Sequence, residues 1–421
     1  MSSLARVRVL LCSLLCLIAL TSFAAARPEA DSVILFIGDG MGPSQVELAA
    51  GVFGQPLTMQ RFPHSGTVTT CNVSGEITDS AAAGTALATG VKTNNGMLGI
   101  SPDGRKLETI LERALKRGKS VGVVTNDALW GATPASFLVH VGSRGERAQI
   151  ALQEAKSRAR VMMGFGKSEL LPKSAGGKRE DGRDLIAWLQ DMGYGVVYTR
   201  QELLRSESLN LVGLFEDTPQ APRLADMVGA ALTRLGTNRL GFLLVVEQAR
   251  VDWEPGDPSA VVRDVLELDQ AVSVAQQYAL RRGRTLVVVT ADHETGGLVI
   301  TDPGKLHLLA CVTESSEEIA RRLLLDRSNV SQVMSQCAGI TDLTPQEADL
   351  VRQAKDPAEP IAAIISARAG LQWTSGGDHT ATPVRVYAAG PGAARFTGEL
   401  DNTRIPAKLA AALGIGPLPS K

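Results

Sequence analysis

Aromatic residues make up only 4% of the 421 positions, histidine and cysteine occur five times each, and neither sign of charge is in excess, with 43 Lys plus Arg against 44 Asp plus Glu. Balanced charge excludes a domain that grips nucleic acid by neutralising phosphates, which would need a clear basic surplus. There is no block of like charges and no sustained heptad, which excludes an acidic tail and a coiled coil. The apolar run from Val9 to Leu20 is shorter than the ~20 residues of a membrane-spanning helix. What remains is the composition of an ordinary globular chain, with 42 glycines pointing to many tight loops.

The first thirty residues read as an export signal. Arg6 and Arg8 precede the apolar run, and Ala24-Ala25-Ala26 offers the small residues of a cleavage site. Residues 1–26 are therefore expected to be a signal peptide, which places the mature chain in the periplasm or outside the cell with no membrane anchor. Cys12 and Cys16 would leave with it. The other three are an odd count for an oxidising compartment: Cys311 with Cys337 is one pairing they allow, leaving Cys71 as a small buried residue, and counting alone does not fix it.

Short β-branched apolar runs are plentiful, and three of them end in acids. Val33-Ile34-Leu35-Phe36-Ile37 runs into Gly38-Asp39-Gly40, Phe242-Leu243-Leu244-Val245-Val246 into Glu247, and Leu286-Val287-Val288-Val289-Thr290 into Ala291-Asp292-His293. Such runs read as strands buried on both faces of a parallel sheet, and these sheets bind ligands at the carboxyl ends of their strands. Carboxylates gathered there repel one another and resist desolvation, for which a divalent cation is the usual remedy. Helical periodicity at Lys106–Arg117, Asp184–Met192 and Val261–Arg282 alternates with further strands at Val121–Val124 and Gly195–Tyr198. The alternation predicts an α/β fold, a three-layer α/β/α sandwich around a large, mostly parallel central sheet, as one domain spanning 31–412. The polar stretch at about 304–373, with its cap-like Thr344-Pro345-Gln346-Glu347, reads as a helical insertion near the site.

Thr78-Asp79-Ser80 precedes Ala81-Ala82-Ala83-Gly84-Thr85-Ala86, side chains small enough for a helix to approach its neighbours closely. With Thr78 as N-cap, Ser80 falls in the first turn, where backbone N–H groups and the helix dipole favour a phosphoryl-like anion. A serine hydroxyl is a weak nucleophile that needs a base or a cation. No histidine stands near it in sequence, so activation by cations held on the acid-ended strands is the better fit.

Phe36-Ile37-Gly38-Asp39-Gly40-Met41-Gly42, Thr78-Asp79-Ser80-Ala81-Ala82-Ala83-Gly84-Thr85-Ala86, Gly90-Val91-Lys92-Thr93-Asn94-Asn95-Gly96, Ala291-Asp292-His293-Glu294-Thr295-Gly296-Gly297 and Gly377-Asp378-His379-Thr380 together resemble the alkaline phosphatases, in that family's own order. The resemblance implies a phosphomonoesterase acting on small phosphate monoesters, with two Zn2+ and one Mg2+; homodimers are common in the family. It implies Ser80 as the nucleophile that becomes phosphoserine. Asp39 would stand between the second zinc and the magnesium, with Asp292 and His293 on the second zinc. Asp252 and His379 would hold the first zinc, and Glu247 and Thr133 the magnesium. Arg144 would fork onto two phosphate oxygens. Each role suits its chemistry: paired cations clamp the entering and leaving oxygens of an in-line displacement, and a planar guanidinium matches two oxygens at once.

Two positions depart from the family pattern. Gly256 stands where a histidine four residues after Asp252 is usual, and Asp257, or else Glu254, is expected to fill its place and give an oxygen-rich first site. Gly131 stands where Asp or His commonly precedes Ala-Thr-Pro, removing a partner for magnesium-bound water. His64, His140 and His307 read as ordinary core or surface residues. Two alternatives stay open: a phosphodiesterase or other superfamily hydrolase, and a non-catalytic phosphate or metal binder that has lost the first zinc site. A sulfatase is disfavoured, because Ser80 lacks the Pro and Arg of the Cys/Ser-x-Pro-x-Arg setting.

Overall fold

The computed structural model describes residues 28–418, so the expected signal peptide with Cys12 and Cys16 lies outside the described residues. In chain order the strands are β1 (Ser32–Gly38), β2 (His64–Thr69), β3 (Ser120–Ala128), β4 (Val161–Phe165), β5 (Gly195–Val197), β6 (Leu211–Leu214), β7 (Phe242–Gln248), β8 (Thr285–Ala291), β9 (Glu294–Thr295), β10 (Leu298–Ile300), β11 (Leu371–Trp373), β12 (His379–Thr380), β13 (Val384–Ala389) and β14 (Gly398–Asp401). Ten of them form one sheet in the order β14-β2-β13-β8-β1-β7-β3-β4-β6-β5, while β10 pairs with β11 and β9 with β12 as small ribbons. Within the large sheet only β13 runs against its neighbours. This is the α/β architecture read from the alternating pattern.

β8, β1 and β7 lie side by side at the centre and every one of their residues is buried. Their apolar side chains face helices on both sides, and each fully buried Val, Leu or Ile contributes roughly 1.5–3 kcal/mol. Helices Pro43–Phe53, Leu224–Leu235 and Pro258–Arg282 pack together on one side, and Ser80–Thr89, Ile110–Lys116, Ala132–Ser136 and Arg404–Leu413 on the other. Register sets the strand ends level: Gly38 pairs with both Ala291 and Gln248, and Glu247 lies opposite both Ile37 and Thr125. The acids that follow or close these strands therefore emerge from one edge.

Local chemistry moved some predicted boundaries. The helix expected from Lys106 begins at Ile110, because Thr109 and Glu112 form a capping box there, while Leu107 N–H bonds to Gly99 O in an extended segment. The insertion is bracketed by the antiparallel pair β10–β11, with Leu298 opposite Trp373. Between them run a 3-10 segment at Pro303–Cys311 and helices Ser316–Arg321, Val330–Ala338, Pro345–Gln353 and Ala358–Arg368. The third of these helices starts on the Thr344–Glu347 capping box read from the sequence.

Cys311 and Cys337, the pairing left open by the sequence, are not joined. Cys311 is exposed at the end of the 3-10 segment, Cys337 is buried on the inner face of its helix, and all three cysteines among the described residues are free thiols. Cys71 is half-buried rather than buried. Among the described residues, no helix is long and apolar enough to cross a membrane.

Glu154, on the helix Arg147–Lys156, is buried with its Oε1 lacking any hydrogen-bond partner. Burial pushes its carboxyl up from the usual 4.5 to about 8. A raised folded-state pKa gives stability that is complete below the unfolded value and lost as pH rises through the folded one. Glu154→Gln should therefore flatten that loss, with an advantage over the parent that grows from pH 5 to pH 9 and reaches on the order of 4 kcal/mol. Denaturant melts at the two pH values measure it, and an equal difference at both would contradict the assignment.

Candidate active site

Asp39 follows β1 directly, and Asp292 and His293 follow β8. His293 Nε2 lies 3.3 Å from Asp39 Oδ1, 3.3 Å from Asp292 Oδ2 and 3.3 Å from Ser80 Oγ. All four residues are buried. Asp292 Oδ1 is occupied by the N–H groups of Gly40 and His293, but Asp292 Oδ2 and Asp39 Oδ1 accept no hydrogen bond. Burial pushes His293 down to about 3, aided by the neighbouring His379, so its imidazole is neutral. Burial also raises Asp292 to about 6, and burial together with Asp292 raises Asp39 well above the carboxylate range. Unsatisfied oxygens around a neutral imidazole nitrogen form a donor set short of a cation, and Asp39, Asp292 and His293 fit a divalent metal.

A second group contains Asp252, His293 and His379, with donor atoms all within 4.8 Å of one another. His379 Nδ1 is 2.9 Å from Thr78 O and must donate its proton there. That leaves Nε2, 3.5 Å from Asp252 Oδ1, with a lone pair to offer. The His293 and His379 rings stack at 3.5 Å. The Thr295 hydroxyl donates to Asp252 Oδ1 and lies 3.2 Å from His293 Nδ1, linking the two groups.

Asp257 does not fill the place left at Gly256. It caps the helix Pro258–Arg282, its Oδ1 accepting from Ser259 N–H, Ser259 Oγ–H and Ala260 N–H and its Oδ2 from Ser316 N–H. Both oxygens are spent on the backbone. Glu254 faces Arg263 at 3.8 Å, and neither acid joins the two groups that could hold a metal ion. Gly256 itself has φ +100°, a conformation that a histidine would adopt only under strain. The insertion grips this loop, with Ser366 Oγ donating to Gly256 O and Ser316 N–H to Asp257 Oδ2.

Ser80 opens the helix Ser80–Thr89, whose ten residues are all buried. Its N-cap is Asp79 and not Thr78: Asp79 Oδ1 accepts from Ala82 N–H at 2.9 Å, while Thr78 spends its carbonyl on His379. The other Asp79 oxygen accepts from Gly96 N–H at 3.0 Å and lies 3.3 Å from Arg144 Nη1. Arg144 N–H in turn bonds to Gly96 O. One carboxylate thus ties the serine helix, the Gly90–Gly96 turn and the arginine together. Asp79 was visible as the serine's neighbour, but only the capping preference for Asp hinted at its part.

Thr133 sits buried on the short helix Ala132–Ser136, its hydroxyl directed at the Glu247 carboxyl. Glu247 accepts from the Thr125 hydroxyl, and burial followed by the charge of Asp127 pushes its carboxyl up to about 8. Trp253 is exposed, with the Arg250 guanidinium 5.4 Å from its ring centre. His140 is taken up by Gly99 O and Glu112, as an ordinary structural histidine would be. Glu294, to which no sequence feature gave a role, accepts from Gln45 Nε2 at 2.7 Å and from Thr380, and so braces β9 against the helix Pro43–Phe53 and β12.

The family model for alkaline phosphatase matches residues 30–415. The chain belongs to the alkaline phosphatase family. It is 33% identical over 417 residues to alkaline phosphatase 4 of Bacillus subtilis (strain 168), covering 90% of this chain and 87% of that protein. Its fold is similar to that of the crystal structure of Thermus thermophilus alkaline phosphatase, with TM-score 0.82, 31% identity, and coverage of 94% and 93%. A cold-active alkaline phosphatase from the psychrophile Shewanella sp. gives TM-score 0.81 and 30% identity over 91% of this chain and 99% of that one. Membership makes this a phosphoric monoester hydrolase of a metal-dependent family.

Because Asp79 both caps the serine helix and steadies Arg144, Asp79→Ala should cost about 1 kcal/mol or more of stability and raise the inhibition constant for inorganic phosphate. Thermal melts and phosphate inhibition measured on one preparation test this. An altered melt with unchanged phosphate affinity would remove Asp79 from anion binding.

Proposed function

We propose that the chain is an exported, metal-dependent phosphomonoesterase that works through a phosphoserine on Ser80. The observation that carries the reading is the Ser80 hydroxyl at the first position of a buried helix, 3.3 Å from His293 Nε2 and beside unsatisfied oxygens of Asp39 and Asp292. Asp39, Asp292 and His293 would hold one zinc, Asp252 and His379 the other, and Asp39, Glu247 and Thr133 a magnesium. When bound, such cations favour the ionised serine hydroxyl and offset charge on the departing ester oxygen.

The protein's own groups supply the rest. The phosphoryl group would sit at the N-terminus of the helix Ser80–Thr89, where free N–H groups and the dipole favour negative charge. Arg144, held by Asp79, would place its fork on two phosphoryl oxygens. Ser80 Oγ, its proton given up to solvent, attacks phosphorus, the bond from phosphorus to the ester oxygen breaks, and the alcohol leaves with a proton from solvent. Water then cleaves the bond between Ser80 and phosphorus, returning the hydroxyl and releasing inorganic phosphate. Arg144 is half-exposed, so the alcohol would project towards solvent, which suits a broad range of monoesters. Export is supported by the leader-like residues 1–26.

Ser80→Ala should abolish the acid-stable phosphoenzyme and nearly all turnover while leaving metal content intact. Arg144→Ala should weaken phosphate binding about 10-fold or more, with a smaller loss in kcat. Radiolabel trapping and steady-state kinetics on an aryl monoester and an aryl diester check both variants. Normal turnover in Ser80→Ala, or a preference for the diester, would contradict the reading.

A further inference from the structure

We propose that Asp127 supplies, from the end of β3, the carboxylate that Gly131 lacks, and so orients the water shell of the cation that Glu247 and Thr133 would hold. The inference rests on the cation reading above and concerns a residue outside the family pattern. A side chain at position 131 would have to grow into Asp127: a Cβ there would lie 3.1 Å from Asp127 Oδ2 and 2.8 Å from Ala128 O. The room left by the glycine is already taken by an acid four residues earlier.

Backbone irregularity brings that acid there. Val124 pairs with Met163 and Ala128 with Phe165, so three residues of β3 stand against Gly164 alone. Bulges of this kind re-aim side chains at sheet edges and beside active sites. Gly164 makes the room, because a Cβ on it would meet Asp127 O at 2.8 Å. The Thr125 hydroxyl then couples Asp127 to the site, accepting from Asp127 N–H at 3.0 Å and donating to Glu247 Oε2. The Thr133 hydroxyl, 1% exposed, bears on the same Glu247 carboxyl, so both groups face the place the cation would take. Partners of this kind, one step from the metal, typically change its affinity 10–100-fold.

Asp127→Asn keeps the shape and removes the charge. The test is calorimetric titration of zinc-loaded, magnesium-free protein with Mg2+, with zinc content measured on the same samples and Glu247→Gln as control. Asp127→Asn should weaken Mg2+ binding roughly 10–100-fold at unchanged zinc content, and Glu247→Gln should weaken it at least as much. If Glu247→Gln loses Mg2+ and Asp127→Asn does not, the role of Asp127 is overturned while the cation reading stands. If the parent takes up no Mg2+, or neither variant changes its uptake, the third site itself falls and the inference with it. Loss of zinc in Asp127→Asn would make the residue a structural one and overturn the proposal.

Discussion

Buried carboxyl oxygens without partners, Asp39 Oδ1 and Asp292 Oδ2 foremost, set the terms for the whole site. Asp39, Asp292 and Glu247 reach one edge of the sheet from three adjacent strands, all buried, and burial drives each carboxyl upward. Arg144 is the guanidinium that bears on Asp39, yet it is engaged with Asp79. Leaving such oxygens bare would cost several kcal/mol apiece. The fold accepts that cost at one edge because its central strands are apolar along their whole length and covered on both sides. Cations that settle the debt would sit beside the one hydroxyl that begins a helix there.

Positioning is layered. The small side chains of Ser80–Thr89 let that helix pack against Ala132–Ser136, which brings Ser80 and Thr133 to the same edge. Asp79 fixes the serine helix to Arg144, Thr295 fixes Asp252 to His293, and Thr78 O fixes the tautomer of His379. The helical insertion reaches the Asp252 loop through Ser316 and Ser366. Its contact with the site is by way of this loop, an indirect hold on a proposed ligand.

Much of the sheet was legible because a strand buried on both faces writes itself as an unbroken β-branched run, and an acid at its end is conspicuous. Asp39, Glu247, Asp292 and His293 were readable in this way; Asp252 and His379 came through resemblance, since neither ends such a run. Less legible were choices between equal candidates. Thr78 and Asp79 are both good caps, and only the hydrogen bond to Ala82 N–H decides for Asp79. Asp257 looked like a spare ligand beside Gly256, although Asp-Pro-Ser-Ala ahead of a long amphipathic run is also a helix start, which is what it proves to be. The bulge that turns Asp127 inward leaves no mark in sequence periodicity. The cysteines could not be paired by counting, because pairing depends on where the insertion helices place them.

Carboxylates and imidazoles from separate strands would converge to hold cations around Ser80. Anomalous diffraction at the zinc edge from crystals of the metal-loaded protein would locate them. The account expects one peak among Asp39, Asp292 and His293 and another beside Asp252 and His379, with Ser80 Oγ between them. No ordered zinc at either group, or a Ser80 hydroxyl turned away from both, would contradict it.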